Sequence, residues 1–235
     1  LQDNGIEPSD AAGSFTFTYS ADTDQFLTMA KFRAARYLWE QVQQHCGISP
    51  MPQHQTAVTS AAMLTRSDPW MNLLRTTVAA FAAGTAGANA VTSRSFDTPL
   101  GQPDEFGRRL ARNSQLLLTE ESGLGQVSDP GGGSWYLENL TKRLSEESWK
   151  RFQMIESEGG MQNTLTSGKI HSEIETTWKA RKNSLESGET SLIGVNIYAN
   201  PEEETLSRSS SLPSPDGPFK LRRWSDPFEE SGKKS

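Results

Sequence analysis

Hydrophobic and polar residues follow two alternating patterns along most of the chain. Short segments in which every second residue is apolar are typical of strands, and longer segments with apolar residues every three or four positions are typical of helices. The first pattern predicts strands over residues 14–20, 56–64, 88–96 and 125–130. The second pattern predicts helices over residues 22–42, 69–84, 103–122 and 159–189. An extended segment is expected over residues 191–198.

The order of these elements predicts an α/β fold. Strands that alternate with helices form parallel sheets, because two parallel neighbours need a crossover connection and a helix supplies it. A closed βα barrel contains eight such units, and this chain supplies about four. The pattern therefore predicts half of a barrel, followed by a helical extension.

The last 35 residues have a different composition. Residues 201–235, which we call the arm, are rich in Ser, Pro and charged residues and have little periodic apolar content. Such a composition is typical of a linker rather than of a packed element. We therefore expect residues 1–200 to form the half-barrel with its following helices, and the arm to lead toward a further domain.

Composition and charge narrow the function classes. The chain has 235 residues, 34% hydrophobic content and a net charge of −6, which argues against nucleic acid as the main partner. No run of 18 apolar residues is present, and residues 1–20 lack the pattern of a secretory signal. Cys46 is the single cysteine, so an internal disulfide is excluded. These features predict a cytoplasmic protein without a membrane partner.

Candidate chemistry is sparse. The glycines at 131–133 are not followed by the Lys-Ser/Thr of a phosphate loop. We therefore interpret them as residues that the backbone geometry of a turn requires. The three histidines are too far apart for a local metal motif, and no metal ligand is predicted; they are His45, His54 and His171. Three arginines of the 103–122 helix form either a solvated face or an anion or subunit contact; they are Arg108, Arg109 and Arg112.

Four stretches carry a specific resemblance. They are AKFRAARYLW (30–39), LTRSDPWMNLLRTTVAAFAAG (64–84), FGRRLARNSQLLLTEES (106–122) and DPGGGSWYLENLT (129–141). Together they resemble the adenosylcobalamin-dependent methylmalonyl-CoA mutase family, and RRWSDPFE (222–229) resembles the interdomain linker of that family. The resemblance implies the C-terminal half of a TIM (β/α)8 barrel. It also implies an isomerase that interconverts methylmalonyl-CoA and succinyl-CoA by radical rearrangement, an activity of propionate metabolism.

The positions that face the substrate in catalytic members are substituted. An Arg-x-Ser that contacts CoA is replaced at Ser14 and Thr16, and a further Gln is replaced at Thr85. The pattern R-x-H-x-Q of the second strand is replaced as a whole, by His54, Thr56 and Val58. Thr56 occupies the position of the catalytic His. No catalytic residue is therefore predicted in this chain, since a hydroxyl cannot replace the polarising imidazole.

The cobalamin-binding motif D-x-H-x-x-G is also missing, because Gln43, Pro52 and Lys169 stand two residues before the three histidines. The resemblance implies adenosylcobalamin in the complex, with none bound by this chain alone. It implies a non-catalytic small subunit in a heterodimer whose catalytic large subunit binds the acyl-CoA. Two alternatives stay open: a fragment of a catalytic acyl-CoA mutase chain, or a stand-alone scaffold that keeps only the fold.

Overall fold

A computed structural model describes residues 5–200, 202–204, 206–209 and 221–229. The chain divides into two compact units that are not continuous in sequence. The first unit comprises residues 1–59, 78–92 and 116–152, and the second unit comprises residues 60–77, 93–115 and 153–235. The division between residues 1–200 and the arm stays a prediction.

The first unit contains a parallel sheet. Its strands are β1 (Thr16–Ala21), β2 (His54–Thr59) and β3 (Ala90–Thr92), in the order β1-β2-β3. The register pairs Thr16 with His54 and Thr56 with Ala90. The predicted α/β class and the existence of the first three strands are confirmed, but β2 begins two residues earlier than predicted, and residues 60–64 and 93–96 lie outside the strands. Over the described residues the sheet does not close into a barrel.

Helices α2 (Gln25–His45) and α3 (Met71–Thr85) follow the first two strands, as the periodicity predicted. Asp24 caps α2, because its side chain accepts a hydrogen bond from the Leu27 amide at 2.9 Å. Helix α3 begins two residues later than predicted. Asp68 has φ +46° and the chain makes a turn before Met71, so Asp68 does not serve as the helix cap.

The remaining helices are α1 (Pro8–Gly13), α4 (Glu105–Leu116), α5 (Trp135–Ser157), α6 (Gly160–Thr166), α7 (Lys169–Glu186) and α8 (Asp226–Glu229). A short 3₁₀ turn covers Thr98–Leu100, and a π-helical turn over Leu117–Glu121 ends the third predicted helix. None of the described helices is both long enough and apolar enough to cross a membrane.

The predicted fourth strand at residues 125–130 is wrong. These residues form exposed turns and bends with no strand assignment. Val127, the apolar residue of the segment, is 62% exposed. A period-two pattern becomes a strand only when a neighbouring strand completes its ladder of hydrogen bonds, and the described residues provide none here.

Two further predictions need correction in the second unit. The helix predicted over residues 159–189 is divided into α6 and α7, because Gly168 adopts the left-handed conformation with φ +77°. The segment 191–198 is a turn rather than an extended strand. An isolated bridge joins Ile193 to Ile197 across it, and Gly194 has φ +79°.

The glycines at 131–133 serve backbone geometry, as predicted. A Cβ atom on Gly131 would overlap the Leu137 side chain. Gly133 has φ +78°, and its amide donates a hydrogen bond to Glu138 at 3.0 Å. The three glycines therefore let the chain turn tightly into α5, with a buried leucine packed against the turn.

The core of the first unit predicts a clear stability contrast within α2. Phe32 is fully buried and stacks edge-on against Tyr19 at a centroid distance of 5.5 Å, whereas Tyr37 of the same helix is 55% exposed. We expect Phe32→Ala to lower the free energy of unfolding by about 3–5 kcal/mol. Tyr37→Ala should change it by less than about 0.5 kcal/mol. Urea unfolding monitored by circular dichroism measures both, and equal losses would contradict this packing.

Candidate functional site

The sheet of the first unit has two different faces, because successive strand residues point to opposite sides. One face, which we call the front face, carries small and hydroxyl-bearing residues that are exposed or half-buried. Its residues are Thr16, Thr18, Ser20, His54, Thr56, Val58, Ala90 and Thr92. Four of the positions predicted to face substrate therefore lie together on this face: Thr16, His54, Thr56 and Val58.

Hydrogen bonds on the front face join its own hydroxyl groups. The Thr18 and Thr56 hydroxyl oxygens lie 2.8 Å apart across the β1–β2 pair. Hydroxyls can hydrogen-bond an oxygen or an amide, but they cannot exchange a proton near neutral pH. Apart from the exposed imidazole of His54, the described front-face side chains are thus suited to contact rather than to acid–base chemistry.

The other two predicted positions do not lie on the sheet. Ser14 follows α1, and its hydroxyl donates a hydrogen bond to the Asp10 carbonyl at 2.9 Å. Thr85 is the last residue of α3 and is buried, and its hydroxyl has no hydrogen-bond partner among the described residues. Ser14 therefore lies two residues before β1 and off the sheet, and Thr85 lies in the packed interior.

The opposite face of the sheet, which we call the back face, packs against α2. Phe17 and Tyr19 of β1 contact Trp39 and Phe32 of the helix, at centroid distances of 4.9 Å and 5.5 Å. On the next strand, opposite Phe17, lies Gln55, a fully buried polar residue of β2. Burying an amide costs free energy unless its hydrogen bonds are replaced, so the partners of Gln55 decide whether this face is stable.

Gln55 satisfies its polar groups completely. Its side-chain amide donates to the Phe32 carbonyl at 2.9 Å and to the Gln53 side chain at 2.7 Å. Its side-chain oxygen accepts from Arg36 at 2.6 Å, and its main-chain amide donates to Asn89 at 2.8 Å. The Gln55 side chain therefore joins β2 to α2, and its main-chain amide joins β2 to the loop before β3.

Arg36 contributes the charged member of this network. Its guanidinium also donates to the Ala86 carbonyl at 2.8 Å, just beyond the end of α3. Burial lowers the pKa of Arg36, and Asp129 opposes that effect; the group nevertheless stays protonated. The sequence reasoning did not identify Gln55 or Arg36. The sequence signal that could have identified Arg36 is a charged residue among the periodic apolar positions of α2.

Lys31 was also missed by the sequence reasoning. It lies on α2 between the buried residues Ala30 and Phe32, and its ammonium group donates to the Ser20 carbonyl at the carboxyl end of β1. Its nitrogen lies 3.4 Å from the Ser20 hydroxyl. Burial lowers the pKa of Lys31, an effect partly opposed by Asp22. Its contact to a main-chain carbonyl ties the helix to the strand end.

Arg33 holds the glycine turn in place. Its guanidinium forms ion pairs with Asp129 at 2.5 Å and with Glu138 at 2.6 Å, and its side chain is 13% exposed. A hydrogen bond from the Gly133 amide, together with Arg33, lowers the pKa of Glu138. The two carboxylates flank the turn, so Arg33 fixes the start of α5 relative to α2.

The other candidate residues do not assemble into a site. His45 packs against Trp149, and His171 lies 3.9 Å from Glu175 on α7. Across the described residues, no group of three or more His, Cys, Asp and Glu is placed to hold a metal ion. Cys46 is exposed at the end of α2. The three arginines of α4 are also exposed, and both interpretations of them, a solvated face and an anion or subunit contact, stay open.

The fold is a partial barrel-type α/β unit. One face of its sheet is rich in hydroxyl groups and carries four of the positions that were predicted to face substrate. Comparison with known proteins identifies the family: the family model for methylmalonyl-CoA mutase matches residues 1–214. This chain therefore belongs to the methylmalonyl-CoA mutase family.

Curated relatives refine the comparison. The methylmalonyl-CoA mutase small subunit of Streptomyces virginiae is 42% identical over 98% of this chain and 38% of its own length. The probable small subunit of Mycobacterium tuberculosis is 40% identical over 97% of this chain and 37% of its own length. The methylmalonyl-CoA mutase of Rhizobium meliloti is 33% identical over 86% of this chain and 29% of its own length. The chain thus spans less than two fifths of these relatives.

The two faces of β2 predict opposite responses to substitution at adjacent positions. We expect Gln55→Ala to lower the free energy of unfolding by about 2–4 kcal/mol, because it leaves a buried charge and several buried polar groups without partners. Thr56→Val removes a half-buried hydroxyl with one short contact to Thr18 and one long contact to the Phe17 carbonyl, and it should cost less than about 1 kcal/mol. Denaturant unfolding of the two variants provides the comparison. A larger loss for Thr56→Val would show that the faces are wrongly assigned.

Proposed function

We propose that this chain is the C-terminal barrel half of a non-catalytic small subunit of a methylmalonyl-CoA mutase. In this proposal the small subunit forms a cytoplasmic heterodimer with a catalytic large subunit, which binds the acyl-CoA and adenosylcobalamin. The complex interconverts methylmalonyl-CoA and succinyl-CoA. The observation that carries the proposal is Thr56, a hydroxyl at the position where the catalytic pattern has a histidine.

The surroundings of Thr56 support a non-catalytic role. Its hydroxyl is paired with Thr18, and its neighbours on this face are hydroxyl-bearing and small apolar side chains together with His54, two residues earlier on the same strand. Neither threonine carries a charge or a proton that is mobile near neutral pH. A catalytic acid or base must have a pKa near the working pH, and a hydroxyl does not meet that requirement.

The described residues do not fit a cobalamin, which supports placing the cofactor outside this chain. Cobalamin supplies radical chemistry when it is bound. The motif acid is absent before each histidine of this chain, and the His45 ring lies 2.7 Å from the Gln41 carbonyl oxygen and packs on Trp149. These residues do not form the ligand arrangement that the cofactor requires. We therefore assign no reaction step to this chain.

The relatives favour the small subunit over the alternative of a catalytic chain fragment. The relatives at 40–42% identity are named small subunits, whereas those named simply methylmalonyl-CoA mutase match at 33%. The substituted positions of the front face agree with this preference.

Activity of the assembled complex tests the proposal. In the full-length small subunit bound to its catalytic partner, we expect Thr56→Ala to leave kcat/KM within about twofold of wild type, since loss of a catalytic acid or base costs about 10²–10⁴-fold. His54→Ala, on the same face, is the matched control and should behave alike. Steady-state turnover of methylmalonyl-CoA with added adenosylcobalamin is the measurement.

Three results would contradict the proposal. A loss of about 100-fold or more on Thr56→Ala would assign the front face to catalysis. Turnover by the full-length chain without any partner would favour the catalytic-fragment alternative. Failure of the full-length chain to co-purify with a mutase large subunit would favour the stand-alone scaffold.

A further inference from the structure

The second unit contains a buried carboxylate that receives an arginine from the arm. Asp97 follows β3 by five residues, and its side chain is fully buried. One carboxylate oxygen accepts a hydrogen bond from the Ser95 hydroxyl at 2.5 Å, and the other accepts one from the Asp104 amide at 3.4 Å. A buried carboxylate needs a positive partner, because an isolated buried charge is strongly unfavourable.

The surroundings of Asp97 are shaped for this arrangement. Gly107 of α4 lies directly against it: a Cβ atom there would lie 2.6 Å from the Asp97 carboxylate and 2.5 Å from the Ser95 hydroxyl. Asp104 supplies a second carboxylate, and its side chain also caps α4 by accepting from the Gly107 amide at 2.7 Å. We call this set the Asp97 socket: Ser95, Asp97, Asp104 and Gly107.

Arg208 of the arm occupies the Asp97 socket. Its side chain is 10% exposed, and it forms ion pairs with Asp97 at 2.5 Å and with Asp104 at 3.1 Å. Its third nitrogen donates to the Ser207 carbonyl at 3.1 Å. Beside it, the Ser209 carbonyl accepts a hydrogen bond from the Gln102 amide at 3.2 Å. All three guanidinium nitrogens therefore have an acceptor.

A second attachment lies further along the arm. Trp224 packs with Phe228 against an apolar cluster of the second unit formed by Leu185, Leu192 and Val195. Arg223 forms an ion pair with Glu229 at 2.9 Å, and Glu229 accepts from the Arg66 amide at 2.5 Å. This attachment has an apolar core. In the described residues of the 202–209 segment, by contrast, the one apolar side chain, Leu206, is half-buried, and the Arg208 side chain is 10% exposed. The two attachments can therefore be separated by experiment.

We propose that the Asp97 socket is the docking site for the 202–209 segment of the arm of the same chain, and that Arg208 is the residue that holds it there. The polar composition of this segment gives it little apolar surface to bury, so the ion pairs supply most of its attachment. Because the guanidinium is forked and planar, it can contact two carboxylates at once.

The charge state of Asp97 agrees with this role. Burial alone would raise the pKa of Asp97, but hydrogen bonds from Ser95 and Arg208 outweigh burial, and the pKa lies below its ordinary value. The carboxylate is therefore ionised at neutral pH when the arm is docked. Docking gives residues 206–209 a defined position on the second unit, which their composition alone does not provide.

Hydrogen exchange of the full chain tests the proposal. In Arg208→Ala we expect amide exchange in the peptide 202–209 to be about tenfold faster than in wild type, because the segment loses its anchor. The peptide 221–229 should be unchanged and is the internal control. Arg208→Lys should give an intermediate rate, since one ammonium group cannot reproduce both ion pairs. Arg108→Ala, which changes an exposed arginine next to the socket, is the matched control.

The outcomes are distinct. Unchanged exchange of 202–209 in Arg208→Ala would overturn the proposal, and so would equal acceleration of both peptides, which would indicate general loosening. Asp97→Asn removes the carboxylate charge that pairs with Arg208 and should also accelerate amide exchange of the peptide 202–209. A wild-type dimer that becomes a monomer on Arg208→Ala in size-exclusion chromatography would assign the docked arm to a second copy of the chain and overturn docking within one chain. None of these readouts depends on mutase activity.

Discussion

The sheet of the first unit depends on one buried side chain. Gln55 lies in the centre of the back face, and its amide contacts the main chain of α2, the side chain of Gln53 and the guanidinium of Arg36. A polar residue in this place stabilises the fold only while every hydrogen bond is made. The geometry of β2 relative to α2 is therefore tightly specified. The geometry of the front face is fixed in the same way, because its residues alternate with those of the back face along the same strands.

This constraint explains why the front face can change without loss of the fold. Thr56 is the next residue after Gln55, yet its side chain points to the other side of the sheet, where its hydroxyl lies 2.8 Å from the Thr18 hydroxyl and 3.5 Å from the Phe17 carbonyl oxygen. We expect substitutions at such a position to cost little stability, so the side chain at position 56 can vary without loss of the fold. The chemistry of the front face and the stability of the sheet are thus carried by separate residues of the same strand.

Charged residues serve a similar purpose at the ends of elements. Arg33 holds the glycine turn before α5 through Asp129 and Glu138, and Arg208 enters the Asp97 socket in the second unit. In both cases an arginine from one segment meets two carboxylates from elsewhere in the chain. Its planar donors suit this task, because they satisfy two acceptors in a fixed geometry. Segments with few apolar residues thereby gain a defined position.

The sequence by itself determined the local elements with strong periodicity and the family. The alternation of β1, the apolar stripe of α2 and the glycines at 131–133 express local rules, in which each residue's conformation depends on its near neighbours. Local rules failed at residues 125–130, where a strand needs a pairing partner, and at Gly168, where a backbone turn interrupts a helical pattern. The sequence also indicated that the candidate positions were substituted.

The tertiary structure alone decided which of those positions share a surface. It placed Thr16, His54, Thr56 and Val58 on the front face and left Thr85 in the interior. It likewise decided the partners of Gln55, Arg33 and Arg208, which lie up to 111 residues away in the chain. The physical reason is that such hydrogen bonds and ion pairs depend on distance in space, and sequence periodicity records only the side of an element on which a residue lies.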